Sequence, residues 1–161
     1  MAIVIRLRSG FLLALEGDYI MNDIRRRLLW HGVLLFLLGL LTGLAGAHFS
    51  NMRMGLAAHL EGVMNGILLL ALGSVWQEVR LPVAPARATF WLLLYGAYAN
   101  WLVTTLAAIL GTGSMTPIAA AGRSAAPWQE MVVSVGFVTI ALSIICATLL
   151  ILFGLRARTD R

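Results

Sequence analysis

Four long, mostly apolar stretches decide what this chain can fold into. They run over about Leu28–Phe49, Met54–Trp76, Ala88–Leu110 and Met131–Phe153. A bilayer core takes about 20 residues of α-helix. Inside it every backbone N–H and C=O must find a partner, which leaves only helices or closed barrels. Barrel strands alternate apolar and polar residues over short segments, and no such pattern is present. The reading is an all-α fold, a four-helix transmembrane bundle, forming one domain over residues 24–156. Composition agrees, with 12% charged residues against roughly 25% in soluble domains. Residues 1–23 read as an N-terminal tail and residues 157–161 as a short basic C-terminal tail.

All twelve basic side chains are arginine, and their placement gives their purpose. Arg6, Arg8, Arg25, Arg26 and Arg27 precede the first stretch, Arg80 and Arg87 separate the second from the third, and Arg156, Arg158 and Arg161 follow the last. Only Arg53 and Arg123 fall in the other two connections. This asymmetry is the positive-inside pattern and predicts that both termini are cytoplasmic. The basic charge therefore sets topology and implies no nucleic-acid partner. The opening MAIVIRLRSGFLLALEGDYI resembles a signal start. Its apolar run is too short, however, and no A-x-A site follows. MNDIRRRLLWHG, from Met21, makes a better-formed N-terminus. The single cysteine, Cys146, excludes an intrachain disulfide and reads as a small buried packing residue.

Glycine spacing organises the first two helices. Gly32, Gly39, Gly43 and Gly46 form one stripe, and Gly55, Gly62, Gly66 and Gly73 form another. Small-xxx-small pairs of this kind let helix backbones approach closely in lipid. The third connection, GTGSMTPIAAAGRSAAPWQE, is long enough to serve as a lid or a partner contact.

The second helix carries AAHLEGVMNG. His59 lies within about 60° of the glycine stripe on a helical wheel, while Glu61 and Asn65, at i and i+4, share a face about 120–160° away. An imidazole on a face without side chains has room for a flat macrocycle, and neutral histidine is the usual proximal ligand of haem iron. It also suits an ordinary interhelical hydrogen bond, and both readings stand. His59 is the candidate metal ligand, with Gly62 and Gly66 beside it as candidate cofactor contacts. His48, at the end of the preceding helix, is its nearest competitor. An ionisable Glu61 at membrane depth points to function. It is protonated, or paired with an arginine such as Arg53. Asn65 both donates and accepts, which suits orienting a small polar group. In LYGAYANWL of the third helix, Tyr95, Tyr98 and Trp101 lie on neighbouring faces and Asn100 shares another with Thr104. Aromatics there suit a flat apolar substrate.

The segments LLWHGVLLFLLGLLTGL, NMRMGLAAHLEGVMNGILLLALG, LYGAYANW and MTPIA…PWQE resemble the hydroxylaminobenzene mutases, bacterial membrane enzymes of nitroaromatic degradation. The likeness covers roughly residues 24–156. More distantly the chain resembles styrene oxide isomerase, whose Ala-His-x5-Asn-Gly segment matches Ala58, His59, Asn65 and Gly66, and whose aromatic-Ala-Asn matches Tyr98, Ala99 and Asn100. The resemblance implies ferric haem b held by His59 at a subunit interface of a homotrimer, with Asn65 facing substrate. Gly96 and Thr104 stand where the isomerase has an acidic residue and a tyrosine. Tyr95, Tyr98 or Glu61 are then the groups left to supply that chemistry. The implied reaction is isomerisation of an N-aryl hydroxylamine to a 2-aminophenol, in a multi-pass protein of the bacterial inner membrane. The competing reading is a small proton-coupled transporter of aromatic compounds that uses Glu61.

Overall fold

A computed structural model describes the backbone of residues 2–156 and the side chains of residues 17–156. Residue 1, the side chains of the early tail and the C-terminal tail 157–161 lie outside the described residues. The elements are α1 (Ala2–Ala45), α2 (Met52–Val75), α3 (Val83–Leu110), the short α4 (Pro117–Ala120) and α5 (Pro127–Arg156). Single 3-10 turns follow α1 and α2. Four helices are long and apolar enough to cross a membrane: Gly17–His48, Met52–Glu78, Val83–Leu110 and Pro127–Arg156. The first starts earlier than its apolar stretch, because helix hydrogen bonds are made along the backbone and carry Arg25–Arg27 as readily as leucines.

The α1–α2 pair is held by main chain against main chain. A Cβ built on Gly39 would lie 2.5 Å from the Val63 nitrogen and 2.7 Å from the Gly62 carbonyl carbon. One built on Gly66 would lie 2.6 Å from the Phe36 nitrogen. The two stripes therefore interlock in antiparallel order, Gly32 and Phe36 with Gly66, Gly39 with Gly62. Dispersion between closely apposed backbones drives such pairing in lipid.

Helix α3 packs on both members of this hairpin and also on α5. The main core joins Leu28 and Leu35 of α1, Leu69 of α2, Phe90, Leu93 and Ala97 of α3, and Ala147 and Ile151 of α5. Helix α5 rests almost entirely on α3, so the four spans do not form a square bundle. Gly136 meets Val103, Gly96 meets Ile144, and the Ser143 hydroxyl donates to the Leu92 carbonyl at 2.9 Å. Cys146 is exposed, which corrects the expectation of burial. With α3 as its main helical neighbour, α5 buries the face of Ser143 and Ala147 and turns Cys146 outward.

Two polar anchors tie down the end where α2 begins. Asn51, 2% exposed, accepts from the backbone N–H groups of Arg53 and Met54 and so caps α2. Its side-chain nitrogen donates to the Ala119 carbonyl at 2.9 Å, and its backbone N–H donates to Ala108. Glu130, at the start of α5, accepts from the backbone N–H groups of Gly113, Ser114 and Ala125. The long connection is thereby fastened at both ends.

Candidate functional site

His59 sits half-buried where α2 crosses α1. Its Nδ1 lies 2.8 Å from the Gly39 carbonyl oxygen. A carbonyl only accepts, so Nδ1 carries the hydrogen; an imidazole in this neutral tautomer has its lone pair on Nε2. No partner for Nε2 occurs among the described residues. A Cβ on Gly43 would press to 2.7 Å from Nδ1, so the ring needs a glycine at that position.

The imidazole lines an open groove of about 690 Å³ between α1 and α2. Gly43, Gly46 and Gly55 remove side chains from its wall, and Leu40, Leu44, Met52 and Leu56 make the rest apolar. Gly62 and Gly66, which the sequence associates with a cofactor, do not line this groove; both are buried against α1. His48 is exposed in the following turn and does not line it either. Among the described residues no group of three or more His, Cys, Asp or Glu is arranged to hold a metal ion. A lone imidazole suits a metal that already sits in a ligand ring of its own. Metal-bound histidines commonly fix their second nitrogen with a carbonyl acceptor, as here.

Glu61, Asn65 and Asn100 form a second cluster, between α2 and α3. The side-chain nitrogens of Asn65, at 3.3 Å, and of Asn100 both donate to Glu61 Oε2. Arg53 is not Glu61's partner: no ion pair joins the two residues. The amide donors take the place of a cation. Glu61 Oε1 and the amide oxygens of Asn65 and Asn100 have no partner among the described residues. Three free acceptors on one cluster suit a ligand that offers N–H or O–H groups.

The aromatics of α3 divide their attention. The Tyr98 hydroxyl lies 3.1 Å from His31 Nδ1 and donates toward the His31 carbonyl at 3.4 Å. The Tyr95 hydroxyl lies 2.7 Å from the Thr139 hydroxyl on α5. Trp101 donates from its ring nitrogen to Thr42 at 2.9 Å. The sequence reading passed over His31 and Thr42 as partners. A histidine one turn into an apolar stretch and a threonine within it were the only signals available.

The chain is 45% identical over 137 residues to hydroxylaminobenzene mutase HabB of Ectopseudomonas oleovorans, covering 84% of both chains. It is also 45% identical over 125 residues to hydroxylaminobenzene mutase HabA of the same organism, covering 77% of this chain and 93% of HabA. No solved structure matches it. The profile of the styrene oxide isomerase family matches residues 24–156, the segment that holds His59, Glu61, Asn65 and Asn100, and the chain belongs to that family.

Proposed function

We propose that this protein is a membrane mutase that isomerises hydroxylaminobenzene and related N-aryl hydroxylamines to 2-aminophenols. The observation that carries the reading is 45% identity across 84% of both chains to an enzyme named for that activity. The hydroxyl oxygen leaves nitrogen and bonds to the ortho carbon. That carbon loses its proton and the nitrogen gains one, so the change is an isomerisation with no net redox.

The free acceptors of Asn65, Asn100 and Glu61 receive the N–H and O–H of the substrate. Glu61 is the proton carrier in this reading, accepting the ortho proton and returning one to nitrogen. The tyrosines are less suited, since Tyr98 is engaged with His31 and Tyr95 with Thr139. His59 is the residue that would hold ferric haem b. The free Nε2, the glycine wall and the apolar groove support that assignment. Bound there, the haem would supply a Lewis acid for the N–OH oxygen. The apolar walls keep bulk water from the activated ring, where it would divert the product to the para position.

His59 faces α1, while Glu61 and Asn65 face α3. We therefore place the complete site at a boundary between copies, consistent with the trimer that the family likeness implies. The arginine distribution supports both termini on the cytoplasmic side, and the family likeness supports a bacterial inner membrane. A transporter reading would need Glu61 on a path across the membrane. Its two amide partners favour a fixed binding role instead.

Purified protein incubated with hydroxylaminobenzene should yield 2-aminophenol, and no turnover overturns the proposal. Run in ¹⁸O-labelled water, the reaction should leave the product unlabelled. Solvent oxygen in the ring hydroxyl would refute intramolecular transfer. His59→Ala should abolish a Soret band. A colourless wild-type enzyme that is nevertheless active would remove the haem and leave the mutase assignment standing.

A further inference from the structure

Between α1 and α3, at the end where both helices begin their apolar stretches, lies a groove of about 350 Å³. Its floor is apolar, with Ile24 at 4% and Phe90 at 3% exposure. Its rim carries Arg27 and Arg87. Each arginine directly precedes an apolar stretch, Arg27 before Leu28 and Arg87 before Ala88. The two guanidinium groups therefore stand at the level where a leaflet's phosphates lie. One turn further in, Trp91 lines the groove and is largely exposed, as is Trp30 on α1. Tryptophan is enriched at this interface because its ring is apolar and its N–H polar.

The charge balance of the groove is incomplete. Arg27 uses Nε to bind Asp23 at 2.9 Å, a solvent-exposed pair. Arg87 has no hydrogen bond or ion pair among the described residues. Two cations and one carboxylate leave the groove with one positive charge. A zwitterionic headgroup would bring a cation of its own, and among the described residues the one carboxylate lining the groove is already bound to Arg27.

We propose that this groove binds an anionic phospholipid, its phosphodiester between Arg27 and Arg87 and an acyl chain running inward past Trp91. The shared chemistry is a phosphate ester, and the experiment separates lipid from free phosphate. Native mass spectrometry of the full-length protein in detergent is run with added phosphatidylglycerol, phosphatidylcholine or glycerol phosphate. One phosphatidylglycerol should stay bound, and the other two should not. Arg87→Gln should lower its retention about fivefold, the factor that one basic group contributes at a membrane surface. Arg87→Lys should keep most of it, and Arg53→Gln, at the opposite end of the molecule, should change nothing. Arg87 is exposed, and helicity by circular dichroism checks that the variant is folded. If it is not, Arg27→Gln is read by the same criterion. Equal retention of phosphatidylcholine, an unaffected Arg87→Gln, or glycerol phosphate binding as tightly as the lipid would each overturn the proposal.

Discussion

Gly39→Ala tests the link between helix packing and the site. The new methyl would lie 2.5 Å from the Val63 nitrogen, 2.7 Å from the Gly62 carbonyl carbon and 3.0 Å from Gly62 Cα. All three are backbone atoms, so no side-chain rotamer can relieve the clash. Ordinary contact begins near 3.5 Å, so α1 must withdraw from α2 by roughly 1 Å. Overpacking of this kind costs about 1–3 kcal/mol. The Gly39 carbonyl moves with its residue, stretching its 2.8 Å bond to His59 Nδ1 beyond hydrogen-bonding range, for about 1 kcal/mol more. Alanine returns roughly 0.5–1 kcal/mol in helix propensity. The net is a loss of about 1–3.5 kcal/mol together with a reoriented imidazole. Thermal unfolding in detergent, followed by circular dichroism, reads the first effect, and turnover of hydroxylaminobenzene reads the second. Gly17→Ala is the control, because a Cβ there meets no atom within 4 Å and the residue lies outside the His59 groove; it should not lower stability by more than about 0.5 kcal/mol. If Gly39→Ala matches that control in both stability and turnover, backbone contact does not position His59.

Other substitutions follow from the same contacts. Asn51→Ala removes the cap of α2 and the tie to Ala119, and should cost about 2–3 kcal/mol in thermal unfolding. Glu130→Gln weakens the acceptor shared by Gly113, Ser114 and Ala125. It should speed protease cleavage within residues 111–126 while leaving the helical circular dichroism unchanged. Glu61→Gln keeps the shape but removes the proposed proton carrier, so it should lower turnover at least tenfold with little change in stability. Trp101→Phe strips the donor from Thr42 and should cost about 1 kcal/mol in unfolding.

The spans were legible because lipid leaves few choices: long apolar runs must be helices. Their outer ends were not, since α1 continues through Arg25–Arg27 where apolarity has already ended. The glycine stripes were legible as contact surfaces because spacing alone places them on one face. Which glycines meet a neighbour and which line a groove was not, because that depends on where the two helices cross. Gly62 falls at the crossing and Gly55 beyond it. Glu61 and Asn65 share a face by arithmetic, whereas Asn100 joins them only through the rotation of α3. The peripheral seat of α5 left no trace, since its stretch is as apolar as any core helix, and so the fate of Cys146 was misread. The bonds of Asn51 to Ala108 and Ala119 are visible only once α3 and α4 are in place.

A histidine held by backbone geometry has evolutionary consequences. The height of His59 above α1 is set by glycines whose replacement is blocked by main chain. The groove around it is walled by Leu40, Leu44, Met52 and Leu56, and of these Leu44, Met52 and Leu56 have at least 60% of their surface free. Those walls can drift in size and shape at little cost to folding. A lineage built on this scaffold could therefore change the compounds it accepts many times over, while the proposed cofactor ligand stays where it was.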